Sequence, residues 1–321
     1  MTKPGGEVKE SGGVVMLGKP VADAIEARLA AAVPAFVARH EVVPTLAIVL
    51  VGDSAASQRY VKKKIEACAR LGMRAELKTY ASDISADGLK AEVLKLGASK
   101  EHHGVLVQLP LPREIEEHDT AATNKFDIFD AIAAEKDVDG VGRDAVAALY
   151  RAQQERMMLM PGTALAVRRI MEFYGVRTEG KQAVVVGRND ITSKPILQML
   201  GGRMCNAAAV WVHRHVAPAD QKRLIREADI LVTAVGSAGY RITADMVKPG
   251  VAVFDVATRV DEAGKMHGDV DFAAVQPIAS FITPVPRGVG PVTVAALCEN
   301  LFRAAQFAFG EGKPGYVFEG A

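Results

Sequence analysis

Cysteine is scarce. The 321-residue chain has three, Cys68, Cys205 and Cys298, far apart and without a CxxC pair or a Cys/His cluster. An odd, scattered set supports neither a disulfide framework nor a zinc site, so no metal is expected, and a reducing compartment is the natural reading. Long hydrophobic runs are also lacking: none approaches the ~20 apolar residues that cross a bilayer, which excludes a membrane partner of that kind. The opening MTKPGGEVKESGG has no apolar signal-peptide core and carries acids where an organellar transit peptide is arginine-rich. Residues 1–14 therefore read as a flexible tail of a cytoplasmic protein. A formal net charge of +1 offers no general basic surface, and no nucleic-acid partner is expected. Repeats of solenoid period and low-complexity tracts are absent as well.

What is present is the composition of a globular protein, 49% hydrophobic and 24% charged, in a length that suggests two domains. Short apolar runs alternate with helical patterns. TLAIVLVG (Thr45 to Gly52), RAELKTY (Arg74 to Tyr80) and GVLVQL (Gly104 to Leu109) read as strands, with KKKIEACARLG and ADGLKAEVLKLG as intervening helices. That βαβαβ order implies parallel strands and right-handed crossovers. A second series follows in QAVVVG (Gln182 to Gly187), AAAVWV (Ala207 to Val212), ADILVTAVG (Ala228 to Gly236) and GVAVFDV (Gly250 to Val256). These runs are apolar enough to be covered on both faces. The fold class is thus α/β, with two α/β domains joined near Tyr150 to Met160. The amphipathic pattern TVAALCENLFRAAQFAF after Pro291 predicts a terminal helix that packs back on the first domain.

Ligands in such folds lie at the carboxyl ends of the parallel strands, where three features of the first domain collect. In SQRYVKKKIEACARLGM (Ser57 to Met73), Tyr60 and Lys64 are four apart and share a helical face, whereas Lys62 and Lys63 point elsewhere. Taken alone, the lysine run reads as a solvated face. In VQLPLP (Val107 to Pro112), Gln108 sits at a strand exit stopped by prolines, where its amide must find partners. EKDVDG (Glu135 to Gly140) places paired carboxylates before a glycine turn, which by itself is most simply a surface loop.

Together, Tyr60-x-x-x-Lys64, VQLPLP and KDVDG, followed by GKQAVVVGRNDITSKP (Gly180 to Pro195), GDVDF (Gly268 to Phe272) and ITPVPRGVGPVT (Ile282 to Thr293), resemble the bifunctional methylenetetrahydrofolate dehydrogenase/methenyltetrahydrofolate cyclohydrolase family. The resemblance covers nearly the whole chain after the tail. It implies a catalytic, folate-binding domain over residues 15–155 with 294–321, and a Rossmann-type NAD(P)-binding domain over 156–293. It also implies oxidation of 5,10-methylenetetrahydrofolate by a nicotinamide cofactor, then hydrolysis of the methenyl product to 10-formyltetrahydrofolate. By similarity Lys64 is the general base or water activator, Gln108 orients it, and Tyr60 holds the folate over it. Asp139, rather than Asp137, resembles the pterin-binding carboxylate, and Pro286 and Gly290 lie in the substrate-binding motif. A homodimer is the family's usual state.

In the second domain GRNDITSKP takes the place of the dinucleotide turn but lacks G-x-G-x-x-G. The family carries GRSxxVGKP there, so Gly187 and Arg188 are retained, Asn189 stands for serine and Ser193 for glycine. The next strand ends in His213-Arg214-His215 with no acid for a ribose 2′-hydroxyl, and Arg188 with Arg214 favours NADP over NAD. PGTALA (Pro161 to Ala166) replaces a PCTPxG-like segment, DVATR (Asp255 to Arg259) a DVGxN-like turn, and Arg287 a glycine. Arg287 could be buried near the hydride site or could point to solvent. With every departure on the cofactor side, the alternatives to a bifunctional enzyme are a member with cyclohydrolase activity only, or a non-catalytic folate- or nucleotide-binding protein. A dehydrogenase of a small hydroxy acid fits the fold alone, but it leaves VQLPLP unexplained.

Overall fold

The computed structural model describes residues 12–116, 125–151 and 159–311. The tail before residue 12 and most of the expected inter-domain join, residues 152–158, lie outside the described residues. The chain forms two compact units, one of residues 24–162 with 294–316, the other of residues 1–23 with 163–293 and 317–321.

The first unit is built on a three-stranded parallel sheet. Strand Thr45–Val51 is central, flanked by Arg74–Tyr80 and Gly104–Val107, with Leu46 in register with both Ala75 and Gly104. All seven residues of the central strand are buried, as its unbroken apolar run requires. Arg74–Tyr80 is one of the two edge strands, and the charges of Arg74, Glu76 and Lys78 suit that edge. The helix Ala55–Arg70 starts where Ser54 accepts a hydrogen bond from the Ser57 amide, seven residues before the Lys62 at which the sequence reading began it. An isolated parallel bridge between Val105 and Asp137 lays the KDVDG segment beside Gly104–Val107. The terminal helix, Val289–Ala308, contributes its residues from Val294 onward to this unit. Its buried Asn300 donates to the carbonyls of Val138 at 2.8 Å and Met160 at 2.9 Å, fastening both ends of the 138–160 stretch. The expected return of the last helix onto the first domain is therefore observed.

The second unit holds a six-stranded parallel sheet in the order Val14–Val15, Phe281–Ile282, Ala252–Asp255, Ile230–Thr233, Gln182–Val186, Ala208–Val212. Its core packs Val184, Val186, Leu231, Val253 and Ile282 into one buried cluster. Chain order reverses between Gln182–Val186 and Ile230–Thr233, which makes the crevice beyond their carboxyl ends the topological switch point. The two-residue strands and the helix Gly18–His40 are additions to the sequence reading. The pairing of Val14 with Phe281 counts residues up to Asp23 with this unit, although the resemblance begins the catalytic domain at residue 15.

Candidate active site

Two of the expected residues meet directly. Lys64 Nζ donates to Gln108 Oε1 at 2.9 Å, while Gln108 Nε2 donates to the Leu109 carbonyl at 2.7 Å. Gln108 is buried, and its own amide donates to Val49 O at 2.8 Å, so the backbone of the central strand and the side chain of Lys64 fix it from two sides. Its amide is used at both ends, and only one of its orientations presents the oxygen to a lysine. Burial pushes the Lys64 ammonium below the ordinary lysine range, while the Asp139 carboxylate and Cys68 oppose that shift.

Tyr60 lies one helical turn before Lys64 and is 46% exposed, so its ring is available to a ligand rather than committed to the core. Of the neighbouring lysines, Lys63 Nζ sits 5.9 Å from the centroid of that ring, and Lys62 forms an exposed ion pair with Glu66 at 3.9 Å. Cys68, one turn after Lys64, is buried and hydrogen-bonded to Cys298, which lies on the terminal helix. Spacing in the sequence gives no hint of that thiol pair, because it depends on how the terminal helix docks.

The two carboxylates of KDVDG divide their work. Asp137 is buried, accepts from Gly140 N at 3.0 Å and from Gly142 N at 2.7 Å, and is pushed up to about 6 by burial. It closes the turn. Gly140 has φ +65°, and a Cβ there would strike the backbone of Met160 and Pro161, which is why the turn needs glycine. Asp139 is half-buried, its charge acts on Lys64, and a Cβ on Gly162 would come within 3.1 Å of its Oδ1. The structure therefore separates a turn-forming Asp137 from an available Asp139.

In the second unit, Gly187 ends strand Gln182–Val186 with φ +121°, and a Cβ there would meet Ala234 O at 2.7 Å and Ser193 Oγ at 2.8 Å. Glycine is needed there because Ala234 and Ser193 close directly on its backbone at the switch point. Ser193 is fully buried at the start of the helix Ser193–Gly201, and its hydroxyl has no hydrogen-bond partner. Asn189 Oδ1 accepts from Ile191 N at 3.0 Å, folding the turn upon itself. Arg188 and Arg214 are both exposed, and Arg214 Nε donates to His215 Nε2 at 3.3 Å. Cations without an acid at the end of Ala208–Val212 fit a 2′-phosphate better than a free ribose hydroxyl.

Pro286 and Gly290 also fall in this unit and are exposed. Arg287 between them is exposed at φ +82°, so it points away from the interior and keeps the left-handed backbone that a glycine would adopt freely. A buried acid pair went unassigned in the sequence reading. Asp269 of GDVDF accepts from Thr233 Oγ1 at 2.5 Å, Val235 N at 2.8 Å and Gly236 N at 3.0 Å. Asp255, pushed up to about 7 by burial, accepts from the amides of Asp269 and Val270. These acids tie the loops after two central strands at the switch point; the motif was visible, its use was not. Among the described residues no group of three or more His, Cys, Asp or Glu is placed to hold a metal.

Comparison with known proteins agrees with this arrangement. Residues 16–139 match the model of the tetrahydrofolate dehydrogenase/cyclohydrolase catalytic domain, and residues 161–309 that of its NAD(P)-binding domain. The chain is 40% identical to a bifunctional protein FolD of Burkholderia multivorans over 265 residues, 83% of this chain and 87% of the relative. It is 39% identical to that of Geobacillus thermodenitrificans over 292 residues, 91% and 97% of the two chains. Among solved structures, the bifunctional FolD dehydrogenase/cyclohydrolase of Campylobacter jejuni superposes with a TM-score of 0.83 at 34% identity, covering 92% of this chain and 99% of that one. The Trypanosoma brucei enzyme, solved with NADP and an inhibitor, gives 0.83 at 32% identity over 93% and 99%. With its lysine–glutamine pair and both domain matches in place, the chain belongs to the tetrahydrofolate dehydrogenase/cyclohydrolase family.

Proposed function

We propose that this chain oxidises 5,10-methylenetetrahydrofolate to the methenyl compound with NADP and hydrolyses that product to 10-formyltetrahydrofolate. The observation that carries the reading is the 2.9 Å bond from a Lys64 of lowered basicity to a Gln108 fixed by backbone. A neutral Lys64 donates one N–H to Gln108 Oε1 and turns its lone pair elsewhere, where it takes a proton from water attacking the methenyl carbon. The C–N bond then breaks, the proton held by Lys64 passes to the departing nitrogen, and the adduct's hydroxyl releases its proton to solvent as the formyl C=O forms.

The substrate reinforces this state. Its amidinium-like cation disfavours a second positive charge beside it, and pairing of Asp139 with the amino-pyrimidinone edge of the pterin withdraws the carboxylate that favours the ammonium. Tyr60 stacks on the folate, and Pro286 and Gly290 are further substrate-binding residues of the proposal. When bound, NADP supplies the hydride acceptor. Gly187, Arg188, Asn189, Ser193 and Arg214 are the residues that would hold it, with Gly187 letting the turn close tightly on Ala234 and Ser193 and the two arginines reading the 2′-phosphate.

The test is a paired assay on the purified protein. Methylenetetrahydrofolate oxidation is followed with NADP and separately with NAD, alongside methenyltetrahydrofolate hydrolysis without nucleotide. Both activities with NADP preferred are expected; hydrolysis alone would reduce the assignment to a cyclohydrolase, and neither would leave a binding protein. A homodimer and a cytoplasmic location belong to the same proposal. The three free cysteines support the reducing compartment, and sedimentation checks the assembly.

A further inference from the structure

The dinucleotide turn contains an acid of its own. Asp190 forms an ion pair with Lys194 one helical turn later, both about half exposed, and Lys194 Nζ also lies 5.8 Å from the centroid of the Trp211 ring. Arg188, two residues before Asp190, is exposed and makes no ion pair among the described residues. Two amides of the turn are already engaged, that of Ile191 by Asn189 Oδ1 and that of Lys194 by Asn189 O at 3.1 Å, and Ser193 is wholly buried. An incoming anion therefore draws on side-chain cations as well, and the one nearest the start of the helix Ser193–Gly201 already has a partner.

We propose that Asp190 is a resident counter-anion of the cofactor turn, which occupies Lys194 and lowers affinity for the pyrophosphate shared by NADP and NAD. This rests on the nucleotide-binding part of the proposed function and adds its control. The turn follows strand Gln182–Val186 at the switch point and opens a helix, the position where a pyrophosphate meets amide dipoles. Those dipoles also favour the Asp190 carboxylate, so the two anions compete for one place. Binding has to break the Asp190–Lys194 pair and then tolerate a carboxylate beside the phosphates. A half-exposed pair and a screened repulsion together are worth roughly three- to tenfold in affinity.

The experiment is calorimetric titration of NADP and of NAD into the full chain and into Asp190→Asn, at low and at high salt. Removing the charge should lower Kd for both nucleotides by about three- to tenfold, with the gain shrinking at high salt. Adding Lys194→Met to the Asp190→Asn variant should erase that gain, because the freed cation is its source. Binding that is unchanged or weaker in Asp190→Asn overturns the proposal. So does a gain that survives Lys194→Met, and so does a gain confined to NADP, which would assign the contact to the 2′-phosphate. The titration needs no turnover, so the two readings fail differently: nucleotide binding without methylenetetrahydrofolate oxidation sinks the dehydrogenase alone, whereas no binding by either protein sinks both.

Discussion

Replacing Lys64 by methionine tests the centre of the site with little change of shape. The stem keeps its packing, while the variant loses the amine and its 2.9 Å bond to Gln108. Two opposing effects on stability follow. Burial already penalises the ammonium, so an apolar end group relieves that cost, whereas Gln108 Oε1 loses its donor, at about 1–3 kcal/mol if nothing replaces it. Folding should therefore survive. Catalysis should not: a positioned base contributes about 10²–10⁴-fold, or about 3–5 kcal/mol of barrier. The assay is nucleotide-free hydrolysis of methenyltetrahydrofolate, corrected for uncatalysed hydrolysis, beside a folate-binding titration and a melt. The pH profile of the wild-type protein adds an independent arm. The active form is the neutral amine, so the rate should fall as pH drops below the folded pKa and level off above it, with the inflection below the ordinary lysine value of 10.5 because burial lowers it. A Lys64→Met protein that hydrolyses within tenfold of wild type refutes the assignment. An inflection at or above the ordinary value refutes its physical basis.

Three further perturbations separate the other roles. Asp139→Ala should raise the folate dissociation constant by about ten- to a hundredfold, the loss of a charge-assisted pair; an unchanged constant in the same titration removes Asp139 from the pocket. Arg214→Ala should raise KM for NADP more than for NAD, and equal effects would show that it does not read the 2′-phosphate. Asp137→Asn probes the turn. A carboxyl raised from 3.8 to about 6 holds its proton more tightly when folded, so its contribution to stability declines as pH rises from 3.8 to 6, by roughly 3 kcal/mol, and stays lost above that window. Carboxylates with lowered pKa values, such as Glu76 and Asp229, give the opposite slope, so the measurement is the difference in denaturation free energy between wild type and variant across pH 4–7. An Asp137→Asn difference that is flat with pH contradicts this account.

The parts legible in the sequence were those carried by local pattern. The buried strand Thr45–Val51 announces itself by a run of apolar residues, and Tyr60 and Lys64 share a face because a helix puts residues four apart on one side. Gln108 was legible because a lone amide at the end of an apolar strand must find a partner. The edge pairings of Val14–Val15 and Phe281–Ile282 were hidden, since two-residue strands have no periodicity to read and join positions 267 residues apart. The thiol pair of Cys68 and Cys298 and the grip of Asn300 on Val138 and Met160 were hidden for the same reason, being long-range consequences of one helix docking. The helix start at Ala55 was missed because its signal is a cap at Ser54, outside the apolar pattern.

The two units solve the same problem with the same chemistry. Each must hold loops at the carboxyl ends of its strands without filling the space a ligand needs, and each does so with a buried aspartate whose oxygens accept backbone amides. Asp137 binds Gly140 and Gly142 in the first unit; Asp255 binds Asp269 and Val270 in the second, with a Cβ on Gly268 excluded by Asp255 itself. Both carboxyls are raised by burial, the sign of a structural acid withdrawn from solvent. Asp139 is instead half-buried with its charge acting on Lys64, and Asp190 is half exposed and paired with Lys194. In the proposed folate site Asp139 favours its ligand. In the proposed cofactor site Asp190 competes with one, so the dinucleotide turn itself sets how tightly the cofactor is held, while the lysine–glutamine pair stays intact.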